Sequence, residues 1–386
     1  MIESGLRRLG PALALASLLV WPTAATAAAT AAAIETSARE AFILDATTGR
    51  VLLDKNSEVS MPPASMSKIM TTYMVFERLK DGRISLDDEL PVSEKAWRKG
   101  GSKMFVEVGK MVRVEDLLRG VIVQSGNDAC IVLAEGLSGT EEAFAAEMTR
   151  KGHEIGLTGS SFANATGWPD PNQRMTARDL ATLAARIIKE FPEYYGYYSE
   201  KEFTFAGIRQ SNRNPLLYKS FGADGLKTGH TEEAGYGLTA SALQGDRRVI
   251  LVLNGLNSQK ARSEESARLI GWAFREYGNY TLFKAGETVE EAGVWLGVTP
   301  TVPLVAAEDL TVTLSRKARL DMKVSVVYDG PIPAPLTAGQ EIAKLVVTAP
   351  GEETVVVPLT AGAAVDQLGF MGRITAAIKH LIFGGP

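Results

Sequence analysis

Apolar and polar positions divide the chain into two textures. Up to about Lys284, apolar residues recur at helical spacing or gather in continuous runs; beyond it they form short runs with no helical period. Ala41 to Leu53 reads as two short strands around the turn-rich Asp45-Ala46-Thr47-Thr48-Gly49. Pro62-Pro63 then introduces a helix carrying Ile69, Met70, Tyr73, Met74 and Phe76, which Asp81-Gly82 stops. Further helices are predicted over Val114 to Val123 and Asp128 to Gly136. A polar, Gly/Ser/Asn-rich loop follows from Gly156 to Gly167. Thr176, with Asp179 three residues on, marks a helix start before Leu180 to Ile188. Strands are predicted over Gly235 to Leu243 and Arg248 to Leu253. A helix over Ser263 to Tyr277 follows, with Ala267, Ile270, Gly271 and Phe274 on one side.

From Val289 to Pro358 the chain is rich in Val, Thr, Pro and Gly, with runs such as Leu310 to Leu314, Lys323 to Val327 and Glu353 to Val357. This predicts a separate small all-β domain. The tail differs again. On a helical wheel Phe370, Met371, Ile374, Ile378, Leu381 and Ile382 fall within about a third of the circumference, with Arg373, Lys379 and His380 opposite. The span is too short to cross a bilayer and suits a helix lying in the membrane interface. The alternative is a terminal helix packed on its own β-domain.

The N-terminus adds a targeting signal. Arg7 and Arg8 precede an apolar run from Ala12 to Val20, and Ala25-Thr26-Ala27 supplies a small-x-small cleavage site. Together they read as a secretory signal peptide over residues 1–27. Composition then narrows the chemistry. The balance of 41 Lys and Arg against 45 Asp and Glu, net −4, is too even for a binder of nucleic-acid backbone. One cysteine excludes an intrachain disulfide framework, and three histidines leave little for a metal site. Cys130, in the apolar stretch Ala129 to Ala134, reads as a small core residue.

Three short motifs could carry chemistry. Ser65-Met66-Ser67-Lys68 opens the first helix, and a spacing of three puts the Ser65 hydroxyl and Lys68 ammonium on one face. Burial near other cations would lower the lysine's pKa and let it take the serine proton. Ser125-Gly126-Asn127 lies between two predicted helices, where a glycine-centred turn can present a hydroxyl and an amide to one cleft. Lys227-Thr228-Gly229 begins the strand region and offers an ammonium and a hydroxyl to a carboxylate, while Gly229 admits a ligand to the strand edge. Each has a plain structural explanation: a solvated lysine, a capped helix–helix turn, a turn leading into a strand. A lone S-x-x-K is expected about once by chance in such a chain, and each triplet in roughly one chain in ten. All three in this order are expected in about one in a hundred or fewer.

With their surroundings, Pro63-Ala-Ser-Met-Ser-Lys68, Gln124-Ser-Gly-Asn-Asp-Ala-Cys130, Lys201-Glu-Phe-Thr-Phe-Ala-Gly-Ile-Arg-Gln210 and Asp224-Gly-Leu-Lys-Thr-Gly-His-Thr231, these motifs resemble the D-alanyl-D-alanine carboxypeptidases of the low-molecular-mass penicillin-binding proteins. The resemblance implies an α/β (α+β) β-lactamase/transpeptidase-like catalytic domain over 28–284, with a central antiparallel sheet flanked by helices. An all-β domain over 285–365 and an amphipathic membrane-anchoring helix over 366–386 would follow. By the same resemblance Ser65 would attack the terminal D-Ala–D-Ala bond of a peptidoglycan stem pentapeptide, with Lys68 as general base and Ser125 relaying a proton to the departing D-alanine. Asn127 would orient substrate and neighbours. Lys227 and Thr228, followed by Gly229, would hold the terminal carboxylate with help from Arg262, and the backbone N–H groups of Ser65 and His230 would form the oxyanion hole. No cofactor or metal is implied. β-Lactams would acylate Ser65, and the enzyme would work in the periplasm, held peripherally on the outer face of the inner membrane.

Four other readings follow from the same residues. D,D-endopeptidase action on cross-links would use the same site. A β-lactamase would need a carboxylate to activate a deacylating water, and none between Asn127 and Lys227 can be assigned to that role. A silent peptidoglycan-binding protein is disfavoured by intact Ser65, Lys68, Ser125 and Lys227, and a Ser-His-Asp hydrolase by the missing G-x-S-x-G elbow.

Overall fold

The structure, a computed structural model, describes residues 34–383. The signal-like segment 1–27 lies outside them. The first domain is built on a five-stranded sheet in the spatial order Val51–Lys55, Glu40–Asp45, Arg247–Leu256, Gly235–Gln244, Ala223–Thr231. Every neighbouring pair is antiparallel. The N-terminal hairpin therefore completes a sheet whose other strands lie some two hundred residues on, with Phe42 opposite Val252.

The strand Arg247–Leu256 is apolar almost without interruption because both of its faces are covered. Ile250 and Val252 face a core that includes the helices Lys68–Lys80 and Ala177–Glu190. Val249, Leu251 and Leu253 face a second core closed by Leu269, Ile270 and Ala273 of the helix Gln259–Glu276. The helix Lys68–Lys80 is buried nearly all round, so it forms the centre of a helical lobe rather than its surface.

The predicted elements are present, with three instructive differences. The helix expected from Ser263 begins at Gln259, because Ser258 caps it by accepting from the Ala261 N–H. This brings Arg262 into a helical first turn. The helix Glu141–Glu154, capped by Thr140, gives only Phe144, Ala145 and Met148 to the core as large or small apolar contacts, too sparse a pattern to read as periodic. Third, Tyr277–Phe283 pairs with Leu310–Ser315, and Tyr280, Leu282 and Phe283 pack on the second domain's core. The seam thus lies ahead of Tyr277, not after Lys284.

That second domain carries a six-stranded sheet in the order Lys323–Val327, Glu341–Thr348, Val355–Ala361, Thr301–Ala306, Thr288–Trp295, Ile332–Pro333. Val302, Leu304, Leu345 and Leu359 form its centre. Polar contacts join the domains: Arg50 pairs with Glu352 and Glu353, Thr48 Oγ1 meets Thr313 Oγ1, and Asn279 Nδ2 donates to Asp45 Oδ1 at 3.2 Å. Asp45 is itself buried and paired with Arg247 at 2.6 Å. The chain closes on the helix Phe370–Phe383, whose Phe370, Met371, Ile374, Ile378, Leu381 and Ile382 are exposed rather than packed on the sheet. The side chains of Lys379 and His380 lie outside the described residues. Among the described residues, no helix is long and apolar enough to cross a membrane.

Candidate active site

Ser65 stands in a single 3-10 turn, Ala64–Ser67, between Pro63 and the long core helix. Ala64 takes a left-handed φ of 48°, a conformation that a non-glycine residue keeps only when its surroundings hold it. The pressure comes from two sides. A Cβ on Gly167 would stand 1.9 Å from the Ala64 carbonyl oxygen, and one on Gly229 would stand 2.9 Å from that of Pro63. Glycine at both positions lets a loop and a strand close on the turn.

Lys68, one helical turn on, is fully buried. Its Nζ donates to Ser65 Oγ at 2.9 Å, to Asn127 Oδ1 at 2.7 Å and to the Thr166 carbonyl oxygen. These use all three donors of an ammonium. Burial lowers its pKa to about 8, and the cations Arg213 and Lys99 push in the same direction. A lysine so placed has a substantial neutral fraction near pH 8 and touches the hydroxyl it would deprotonate.

Ser125 occupies the turn between the helices Val114–Ile122 and Asn127–Ser138, buried, with a φ of 61°. Asn127 ties this turn to a neighbouring loop: its N–H donates to the Ser102 carbonyl at 2.8 Å and its Nδ2 to that of Gly100 at 2.9 Å. The third wall is the edge strand Ala223–Thr231, which carries Lys227, Thr228, Gly229 and His230. Lys227 is buried, and burial followed by the nearby Lys68 and Arg213 charges holds its pKa well below the usual lysine range. Arg262 is buried as well, its pKa lowered to about 10, and its guanidinium lies 5.7 Å from the Tyr236 ring centroid. His230 stacks on the same tyrosine at 3.9 Å.

These residues surround a pocket of about 370 Å³ whose lining includes Ser65, Ser125, Thr228, Gly229, His230 and Arg262. Lys68, Asn127 and Lys227 stand buried around it. Four further lining residues escaped the sequence reading: Ser102, Arg213, Tyr236 and Gln259. Arg213 matters most, because its guanidinium adds a cation beside Lys227 and Arg262 and donates to Ser102 Oγ at 2.6 Å. It lies among asparagines before Pro215, a context with no periodicity or motif to single it out. Among the described residues the lining holds arginines and hydroxyls and no carboxylate, an arrangement that suits an anionic group beside the Ser65 hydroxyl. Cys130, though electrostatically close to Lys68, is buried with its thiol pushed up to about 12, which keeps it protonated and inert.

The description D-alanyl-D-alanine carboxypeptidase matches residues 25–258, more than half of the chain. The chain belongs to this family. Residues 277–367 match a second description, penicillin-binding protein 5, C-terminal domain, in keeping with the seam ahead of Tyr277. The D-alanyl-D-alanine carboxypeptidase DacC of Escherichia coli (strain K12) is 40% identical over 361 residues, covering 92% of this chain and 90% of the relative. Among solved structures, penicillin binding protein 5 from Haemophilus influenzae is 37% identical with a TM-score of 0.78, covering 86% of this chain and 99% of the other. Penicillin-Binding Protein D2 from Listeria monocytogenes, in its ampicillin-bound form, is 28% identical with a TM-score of 0.58, covering 62% of this chain and 98% of that one. The chain is therefore a serine-type D-alanyl-D-alanine carboxypeptidase of the penicillin-binding class, with a catalytic domain built on an antiparallel sheet and a C-terminal β-domain.

Proposed function

We propose that the carboxypeptidase removes the terminal D-alanine of peptidoglycan stem pentapeptides through an acyl-enzyme on Ser65. Neutral Lys68 takes the Ser65 proton as the oxygen attacks the penultimate D-Ala carbonyl. The N–H groups of Ser65 and His230 receive the developing oxyanion. Lys227, Thr228 and Arg262 hold the terminal carboxylate, and Arg213 adds to the same field. Ser125 passes a proton to the departing amine, Asn127 keeps Lys68 in line, and water releases the shortened stem. The observation that carries this reading is the buried Lys68 Nζ, 2.9 Å from the Oγ of Ser65, which lines a pocket of arginines and hydroxyls.

A β-lactam acylates the same oxygen and leaves slowly, since the lining offers no carboxylate to activate a deacylating water. The test is D-alanine release from a stem pentapeptide together with labelling by a fluorescent penicillin. Ser65→Ala should abolish both and leave the fold intact; D-alanine release that survives the substitution refutes the mechanism. Cleavage of cross-linked dimers faster than D-alanine release would favour the endopeptidase reading.

The proposal extends to location: an exported enzyme in the periplasm, held on the outer face of the inner membrane by its terminal helix. The exposed Met371, Ile378 and Leu381, the last with 89% of its surface open to solvent, support it, because such a face is costly in water and stable at a lipid boundary. Truncation after Val365 should give an enzyme that no longer co-sediments with anionic vesicles and keeps its activity on soluble substrate. A full-length protein that never sediments with them removes the anchor.

A further inference from the structure

The loop that holds Lys68 is itself held. A neutral lysine amine has two N–H donors and one lone pair. Asn127 Oδ1 and the Thr166 carbonyl oxygen both lie within hydrogen-bond reach of Lys68 Nζ, together with Ser65 Oγ. With its two donors on Asn127 and Thr166, the neutral amine points its lone pair at the Ser65 hydroxyl. The place of the Thr166 carbonyl therefore decides where the base aims. Asn127 belongs to a helix start, whereas Thr166 stands in an irregular loop, where no helix or strand ladder fixes a carbonyl.

Side chains fix it instead. Thr71 is fully buried three residues beyond Lys68 on the helix Lys68–Lys80, a spacing that sets both on one face. From that face they donate to successive carbonyls of the loop, Thr71 Oγ1 to that of Ala165 at 2.7 Å and Lys68 Nζ to that of Thr166. The Ala165 N–H donates to Glu141 Oε1 at 3.3 Å. Asn164 Oδ1 accepts from the N–H groups of Thr166 at 3.1 Å and Trp168 at 3.0 Å. Ala165 thus has its N–H tied to one helix and its carbonyl to another, one residue before the carbonyl that meets the lysine.

Glu141 is the unusual member of this set. It opens the helix Glu141–Glu154, where a carboxylate suits the positive end of the helix and ordinarily stays in water. Glu142, next along and 2.8 Å from Lys95 Nζ, does stay in water. Glu141 is only 5% exposed, with one oxygen on the Ala165 N–H and the other 3.1 Å from Lys95 Nζ, which offsets its charge. Resting on the reading that Lys68 is the general base, we propose that Glu141 and Thr71 are positioning residues for the reaction: they clamp Ala165 so that the Thr166 carbonyl keeps the Lys68 lone pair on Ser65.

The test reads the second-order rate of acylation by a fluorescent penicillin from about pH 6 to about pH 10, a range that spans the Lys68 inflection. Glu141→Ala and Thr71→Val should each lower the high-pH plateau about tenfold, the worth of one hydrogen bond. Each should also move the inflection to lower pH, because a carbonyl that drifts from the ammonium no longer favours the charged form. Glu141→Gln and Thr71→Ser keep the atom that Ala165 uses and should restore both plateau and inflection to nearly wild type. Lys99, Arg213, Lys227, Asp128 and Cys130, the charged and titratable groups around the amine, are the same in all four variants. Thr71→Val keeps the side chain's shape, so it carries the prediction alone if Glu141→Ala does not fold. A Glu141→Gln profile displaced as far as that of Glu141→Ala assigns the effect to the lost charge and overturns the clamp. A lower plateau with an unmoved inflection, the mark of a generally loosened fold, overturns it too, as do wild-type rates in Glu141→Ala and Thr71→Val. A profile already flat in the wild type removes Lys68 as the base and the proposal with it, whereas an inflection near 8 that no variant moves removes the clamp alone.

Discussion

The two large sheets of this protein are made from similar residues and used in opposite ways. In the catalytic domain, the strand Arg247–Leu256 is buried on both faces, and successive residues serve different cores. In the C-terminal domain, the strand Glu341–Thr348 alternates, with Ala343, Leu345 and Val347 inward and Glu341, Lys344 and Thr348 exposed. A sheet covered on both sides can carry charged groups at its edge into a water-poor setting, as it does with Lys227. A sheet with one wet face cannot. Lys344 stays in solvent at its ordinary work of solubility, whereas burial depresses Lys68 and Lys227 toward neutrality. Chemistry follows the double cover.

The sharpest way to break that comparison is to remove the buried cation. Lys68→Met should lower the rate of acylation by β-lactam about a thousandfold or more, with the protein still folded by circular dichroism. The wild-type kcat/KM should rise with pH through an inflection near 8, because only the neutral amine accepts the Ser65 proton and its fraction grows above the pKa. A flat profile across that region would mean that burial does not tune the lysine. Next in size, Arg262→Ala should cost about thirtyfold in kcat/KM for D-alanine release, the worth of a charged hydrogen bond to the substrate carboxylate. An effect no larger than about twofold would place carboxylate recognition on Lys227 and Arg213 instead.

The remaining predictions concern the other sheet. Leu345→Ala, at a fully buried position, should destabilise the C-terminal domain by about 2–5 kcal/mol in denaturant melts. D-alanine release from a soluble peptide at 25 °C should change by less than about twofold, and a larger loss would show that the catalytic site leans on the second core. Smallest is Arg50→Ala, which removes partly exposed ion pairs to Glu352 and Glu353 across the seam. It should cost about 1 kcal/mol or less and leave kcat unchanged, read by calorimetry and steady-state kinetics.

Much of this organisation was legible along the chain. Hydrophobic spacing marked the first core helix, the Gly235–Gln244 and Arg247–Leu256 strands and the change to an all-β domain, because period and turn chemistry are local properties. The S-x-x-K, Ser-Gly-Asn and Lys-Thr-Gly motifs were visible for the same reason, and Ser65, Ser125 and Thr228 line one pocket. What local pattern could not supply was assembly. The start of the Gln259–Glu276 helix depended on a single capping serine, and the strand Tyr277–Phe283 belongs to the second domain only because Leu310–Ser315 pairs with it.

The sequence by itself determined which side chains were available: a serine and a lysine one helical turn apart, a hydroxyl in a glycine turn, an ammonium on a strand. It also determined the amphipathic tail, whose division into faces needs no partner. Only the tertiary structure decided what those groups became. Lys68 is brought to about 8 by burial among segments distant in sequence, and Thr166, which no motif announced, joins Asn127 of the Ser-Gly-Asn turn in holding its amine. Arg213 enters the pocket from a stretch without pattern. The physical reason is that a pKa and a binding field depend on what surrounds a charge in space, and sequence spacing specifies surroundings only within a turn or two of chain.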